Sequence, residues 1–336
     1  MSRRWTVRPE GSTWGDWGED DQLGRLNLVG AQQVRQAAAE VREGLTYCLS
    51  LPLNLPGGNV LSPVRFPPVL SPVERNGTPY YNYEWRDQDL GLTDIGSDDK
   101  VLLYTQYSTQ WDGLAHRGSL FDVHGTGELQ SVYYNGYRAG IDITHSDDES
   151  CSAGALGIEN MAVHGVQGRG VLVNLYRHYG ESYAEVGYRE LSQILELDEI
   201  EVEQGDFLCL WTGFDRMILR MGGQPNPILR NACAVLNGWD DDLLQWISDS
   251  GIAAIASDNR AIEAVDREIA DGYCGSNLPL HEHCLFKLGI HLGELWHLAE
   301  LADALDSHGR YRFMLTAPPL RLTGAVGSPV TPLGTV

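Results

Sequence analysis

Three stretches of the chain are apolar along almost their whole length: Gly168-Arg169-Gly170-Val171-Leu172-Val173-Asn174-Leu175, Phe207-Leu208-Cys209-Leu210-Trp211 and Ile252-Ala253-Ala254-Ile255-Ala256. A strand with one wet face alternates polar and apolar residues. A strand apolar at nearly every position has to be covered on both faces. The second run gives way to Thr212-Gly213 and the third to Ser257-Asp258. Runs of this kind, each closed by a polar turn, predict a mixed or partly parallel sheet covered by helices, an α/β fold. The ends at Thr212-Gly213 and Ser257-Asp258 are the expected places for a cleft. The glycines at 168 and 170 precede their strand instead of following it, so a nucleotide-binding loop is excluded by context.

The connecting segments read as helices at 31–43, 152–161, 183–195, 239–248, 278–288 and 295–305. In the first, Val34, Ala37, Ala38 and Val41 recur at helical spacing and Gly44 ends it; Gly289 closes the 278–288 helix. Further strands are expected at 45–53, at 132–137 up to the Asn135-Gly136 turn, and at 311–322. Residues 14–27 read as an ordered loop with aromatic anchors, 324–329 as a closing loop, and the last residues as a frayed end. Residues 54–82 carry Pro56, Pro63, Pro67, Pro68 and Pro72 with Gly57-Gly58 and read as a long irregular segment. Loops of that length are functional or wrap another subunit. The cluster Tyr80, Tyr81, Tyr83 and Trp85 at its end is read equally as a substrate lid or as an anchor at an oligomer contact. The expected organisation is one domain over 1–336, with 1–100 as an extended N-terminal region.

A formal net charge of −22 argues against nucleic acid and anionic membranes as partners, since both call for basic patches. No apolar window is long enough for a transmembrane helix, and Arg3-Arg4 is not followed by the apolar segment of a secretory signal. Six cysteines without C-x-x-C spacing read as reduced, mostly buried thiols of a cytoplasmic protein.

The reactive residues concentrate in Gln106-Tyr107-Ser108-Thr109-Gln110-Trp111-Asp112-Gly113-Leu114-Ala115-His116, after the β-type run Val101-Leu102-Leu103-Tyr104. Asp112 can carry charge or bind a metal, and His116 can exchange a proton near neutral pH. By itself the pair reads as readily as a surface contact on a loop. His145 beside Asp147, Asp148 and Glu149 invites a metal reading, but such runs are usually solvated. His281 lies on one helix face with Leu285 and Leu288, and Glu294 follows that helix's exit, so the two can converge.

Several of these segments together resemble the cyclase family of hydrolases, which includes bacterial kynurenine formamidase and isatin hydrolase. The matching pieces are 17–27, 108–116, Tyr134-Asn135-Gly136, 168–172, Trp211-Thr212-Gly213, His281 to Glu294, and Gly327-Ser328-Pro329. The resemblance implies a swivelling β/β/α domain. The family motif His-x-Gly-Thr-His-x-Asp-x-Pro-x-His implies two metal-binding His, a metal-binding Asp and a final acid–base His. Here Thr109, Asp112 and His116 match. Gln106 and Gln110 stand where the two ligand His are expected, Ser108 replaces the Gly and Leu114 the Pro. The later His and Glu of the family fall on His281 and Glu294.

An amide oxygen is a weak neutral ligand beside imidazole or carboxylate, so two metals are not expected. One divalent metal, Zn or Mn, held by Asp112, His281 and Glu294 remains chemically sensible, with Gln106 and Gln110 as a fourth ligand or as substrate contacts. Trp111 and Tyr134 are further candidates for an aromatic-walled substrate site. His283, His291 and His297 read as surface or structural residues. The leading expectation is a hydrolase of a C–N or ester-like bond in a small substrate, using metal-activated water and His116. A metal-independent natural-product cyclase or dehydratase using His116 and Asp112 is the second, and a non-catalytic ligand-binding protein the third. A homodimer or homotetramer is expected, since the long loops and the aromatic cluster need somewhere to pack.

Overall fold

The computed structural model describes residues 3–146 and 150–336. Among the described residues, nine strands form the main sheet. In chain order they are β1 (Thr46–Cys48), β2 (Gln110–Asp112), β3 (Gln167–Asn174), β4 (Phe207–Trp211), β5 (Ala254–Ser257), β6 (His291–Glu294), β7 (Arg312–Thr316), β8 (Gly327–Pro329) and β9 (Leu333–Thr335). Their order across the sheet is β1-β9-β7-β3-β4-β5-β6-β2-β8. The centre, β3 to β6, is parallel, and both flanks are antiparallel. This is the mixed α/β sheet expected from the three apolar runs, which supply β3, β4 and β5.

Strand alternation divides those runs between two cores. Val171, Val173, Leu208 and Leu210 face Leu191, Ile194, Leu243 and Ile247 of the helices Tyr188–Leu197 and Asp241–Ser250. Leu172, Phe207, Cys209 and Trp211 face Leu301, Ala302 and Leu305 of the helix Ala299–Ser307 on the other side. The glycines of β3 are explained by packing: a Cβ on Gly168 would lie 2.6 Å from the Phe207 ring, and one on Gly170 would lie 2.2 Å from the Phe313 ring. Arg169 between them is buried and forms a two-point pair with Asp206, at 2.8 and 3.1 Å.

Several elements differ from expectation. The run at 101–104 is not part of the main sheet. Strand Asp99–Leu102 pairs with Val69–Arg75, which turns through Asn76-Gly77 onto Thr78–Tyr80, and this small sheet leaves Leu70 and Leu102 more than 60% exposed. The stretch 106–116 after it supplies a strand of the main sheet, β2. Helix 31–43 is shortened to Ala31–Ala38, and 183–195 begins only at Tyr188. Residues 324–329 hold strand β8, not just a loop. The C-terminus is not frayed: β9 lies between β1 and β7, and Val336 is buried and hydrogen-bonded to Gly44 and Leu45. The helix after Leu278 widens into a π-helix, Glu282–Leu288, closed by Gly289 at φ 62°. Trp14, the anchor of the N-terminal loop, donates its Nε1–H to the Phe286 carbonyl of that π-helix at 2.7 Å.

Among the cysteines, Cys209, Cys233 and Cys284 are buried while Cys48, Cys151 and Cys274 are exposed, and all are free thiols. Among the described residues no helix is long and apolar enough to cross a membrane. His145 is exposed in a two-residue strand; Asp147, Asp148 and Glu149 lie outside the described residues.

Candidate active site

The register of three strands assembles the site. In β2, Gln110 and Asp112 point to one face and Trp111 to the other. The antiparallel partner β6 sets Glu294 opposite Gln110, and β8 sets Gly327 opposite Asp112. A Cβ on Gly327 would come within 3.0 Å of the Gln106 side chain, so glycine there leaves room for that amide. His281, at the start of the π-helix, reaches the same point from above.

The hydrogen bonds are specific. The Gln106 Nε2 amide donates to Asp112 Oδ1 at 2.5 Å and lies 2.7 Å from His116 Nδ1. An ionised carboxylate only accepts, so the NH₂ end faces it and His116 Nδ1 accepts as well. His116 Nε2 then faces Asp112 Oδ2 across 3.8 Å. Gln110 Nε2 donates to Asp112 Oδ1 at 3.2 Å and to Glu294 Oε2 at 3.0 Å. His281 Nε2 lies 3.2 Å from Glu294 Oε1.

Glu263 was not apparent from the sequence. It is 1% exposed and accepts from the backbone N–H of Leu280 and His281, and its Oε1 lies 2.7 Å from His281 Nδ1. That bond fixes the ring so that Nε2 points to Glu294 and Asp112, the arrangement by which a carboxylate orients a ligating imidazole. The available signal was an acid inside an apolar stretch, Ala261-Ile262-Glu263-Ala264-Val265. Both glutamates sit beside a non-glycine residue in the left-handed region, Ile262 at φ 60° and Leu295 at φ 55°. Such conformations cost roughly 1–3 kcal/mol each and persist where the surroundings impose them.

Electrostatically the site holds carboxylates close together out of water. Burial, then repulsion from Asp112, pushes Glu294 up to about 7. Burial alone would lower His281, but hydrogen bonds to Glu263 and Glu294 hold it up at about 10. Burial pushes His116 below its ordinary value, opposed by Asp112. Asp112 Oδ2 and Gln110 Oε1 are buried without a hydrogen-bond partner among the described residues.

The orphaned oxygen tests the fit of a cation. One ligand atom each from Asp112, His281 and Glu294 lies within 4.8 Å of the others, and all three residues are buried. An unpartnered carboxylate oxygen, a second carboxylate that repels it and an oriented imidazole form a donor set suited to one divalent ion. Gln106 and Gln110 both donate N–H to Asp112 Oδ1, and Gln110 also donates to Glu294 Oε2, which eases the repulsion between the two carboxylates. The residues present therefore fit one metal.

A cleft of about 580 Å³ opens over these residues, with His116, His281 and Glu294 among its walls. Segment 54–66 covers one side, where Leu61, Ser62 and Arg65 line it. Of the aromatic candidates, Trp111 is fully buried on the opposite face of β2, stacked edge-on against Trp296 with Nε1 on the Ala317 carbonyl. Tyr134 is equally buried, its hydroxyl on Asp21 Oδ2 at 2.9 Å. Neither lines the cleft, and the alternation of β2 is the reason for Trp111. The strand ends at Thr212 and Asp258 are filled too; the cleft begins further on, at Arg260 and Ala261. His291 and His297 are structural: His291 is buried against the Asp112 carbonyl, and His297 pairs with Asp215.

A family model described as "Putative cyclase" matches residues 47–264. The chain belongs to the cyclase family. A crystal structure of a novel cyclase is 29% identical, with a TM-score of 0.74 over 97% of this chain and 99% of its own. Isatin hydrolase A from Labrenzia aggregata, solved with benzyl benzoate, is 11% identical with a TM-score of 0.57 over 89% of this chain and 95% of its own. An isatin hydrolase bound to the product analogue thioisatinate is 12% identical, with a TM-score of 0.55 over 92% of this chain and 99% of its own. The likeness to the isatin hydrolases shows the cyclase-family fold. Among curated proteins none matches this chain.

Proposed function

We propose that this cyclase-family protein is a hydrolase of a C–N bond, in an amide, formamide or lactam, or of an ester-like bond, in a small and possibly cyclic substrate. The observation that carries the reading is the unpartnered, buried Asp112 Oδ2, set among Glu294, His281 and His116, which line an open cleft. Asp112, His281 and Glu294 are the residues that would hold a single divalent metal, Zn or Mn. When bound, that ion supplies Lewis-acid polarisation and acidifies water. Glu263 accepts the hydrogen bond from His281 Nδ1–H and aims Nε2 at Glu294 and Asp112; to ligate, Nε2 gives up the proton that Glu294 otherwise accepts. Gln106 ties Asp112 to His116 and leaves His116 Nε2 as the nitrogen on the proton path to the leaving group. Gln110 holds the two carboxylates at their spacing. The fold shared with isatin hydrolases is compatible with opening a cyclic amide.

Metal analysis of the purified protein, with turnover of formamides, lactams and lactones before and after chelation, tests this reading. About one equivalent of Zn or Mn and turnover lost to the chelator support it. A metal-free protein whose activity survives chelation favours the second reading, acid–base cyclisation or dehydration by His116 and Asp112. The specific observation behind that reading is that both amides already satisfy Asp112 Oδ1. A cleft-lining His116 counts against a protein that only binds a ligand.

A homodimer or homotetramer is proposed on the exposed apolar side chains of the 64–104 arm, Phe66, Val69, Leu70, Val101 and Leu102. Light scattering that returns the monomer mass of 37.1 kDa refutes it.

A further inference from the structure

The cleft differs in charge from the molecule around it. The chain carries a formal net charge of −22, yet Arg65, Arg117, Arg260 and Arg267 line this one cavity beside only two acids, Asp266 and Glu294. Two of the four guanidiniums are neutralised. Arg260 pairs with Asp266 at 2.5 Å, and Arg267 pairs with Glu185 at 3.7 Å and lies over the Trp239 ring. Arg65 and Arg117 form no ion pair among the described residues.

Both are nevertheless held in place. Arg65 is half-buried and donates from its NH1 nitrogen to the Gln106 carbonyl at 2.8 Å, which ties it to the site residue next to Asp112 and His116. Arg117 follows His116 directly in the chain, is half-buried, and donates to Asn277 Oδ1 at 3.3 Å. Each keeps further N–H groups free for the cleft. Arg65 also borders the narrow recess beneath segment 54–66, shared with Gln106 and Glu294. An unpaired arginine with part of its fork committed to a neutral oxygen is pre-oriented to receive a planar anion. Cations in a low-dielectric cleft also raise the local concentration of an anionic ligand.

We propose that Arg65 and Arg117 form an anion subsite for a carboxylate group on the substrate, separate from the atoms that would hold the metal. The assignment of that ligand as a substrate rests on the hydrolase reading above; the anion subsite does not. The carboxylate docks between the two guanidiniums and places the scissile bond over His116 and Asp112. Substrates of this class are amides, lactams or esters carrying a free acid, rather than neutral compounds.

The test is binding by calorimetry to the full chain, before and after chelation. The probes are acetate, benzoate and 3-phenylpropionate, each beside its primary amide, together with inorganic phosphate. The expected result is that at least one carboxylate binds, that its amide binds at least about tenfold more weakly, and that chelation leaves the preference intact. Arg65→Ala and Arg117→Ala should each weaken carboxylate binding by about tenfold and leave the amides within about twofold, while Lys at either position restores part of the loss. His116→Ala should bind the carboxylate as the parent does. Preference lost on chelation but kept in both arginine variants would mean that the carboxylate ligates the metal, which overturns the subsite and supports the metal site. Amides binding as well as acids, or phosphate binding more tightly than every carboxylate, overturns the carboxylate assignment. Absent turnover with the acid preference intact leaves the subsite standing and removes the hydrolase reading.

Discussion

Two buried clusters lie side by side at the edge of the parallel strands, built from the same residue types. One is Asp112, Glu294 and His281 with their glutamines. The other is Asp215, Asp258 and His297 around Thr212. In the second cluster every carboxylate oxygen has a donor. Asp215 accepts from Trp211 Nε1, His297 Nδ1 and the backbone N–H of Arg216, Leu298 and Ala299, at 2.7 to 3.1 Å. Asp258 accepts from the Thr212 N–H and hydroxyl and from the Asp215 N–H. These bonds fasten the start of the Ala299–Ser307 helix to strand β4, and both carboxylates are fully buried. In the first cluster Asp112 Oδ2 and Gln110 Oε1 are left without partners, and His116 opens onto a cavity. Acids and histidines therefore do not mark a reactive site by themselves. Incomplete satisfaction next to open space does, because a buried oxygen without a donor costs free energy that a ligand can recover.

The contrast predicts that the two clusters fail in opposite ways. The largest effect is expected from His116→Ala, which should lower kcat on the responsive substrate about 10²- to 10⁴-fold while leaving the unfolding midpoint nearly unchanged. An equal loss of stability would make the first cluster structural as well. Asp215→Ala should do the reverse. Stranding His297 and three backbone donors should cost about 3–5 kcal/mol in urea unfolding, with turnover per folded molecule within twofold. Zinc at a hundred times its Kd should stabilise the parent by about 2.7 kcal/mol and Glu294→Gln much less. Equal stabilisation of both would place the ion elsewhere.

The smallest effect concerns pH. Burial, then the neighbouring Asp215 charge, pushes Asp258 up from 3.8 to about 8. Between those values the folded chain keeps a proton that the unfolded chain releases, so this contribution to stability falls as pH rises. Asp258→Asn cannot titrate. The parent should lose at least about 1 kcal/mol relative to that variant between pH 5 and pH 8, and parallel pH curves would show that Asp258 is ionised throughout.

The amino-acid sequence by itself determined the central sheet, because Val171 to Leu175, Phe207 to Trp211 and Ile252 to Ala256 have no wet face to offer. It also singled out Asp112, His116, His281 and Glu294, through a motif whose spacing survives the loss of two histidines. What it could not decide was long-range register. The pairing of Glu294 with Gln110 across 184 residues, and the reach of Glu263 to His281, come from how strands and loops far apart in the chain are brought together. The same holds for the removal of Trp111 and Tyr134 to the core. Strand alternation makes Trp111 point away from Asp112, but only the assembled sheet shows which face is the cleft. The charge of that cleft was hidden for the same reason: Arg65, Arg117 and Arg260 are scattered through an acidic chain, and only folding gathers them over the first cluster's exposed edge.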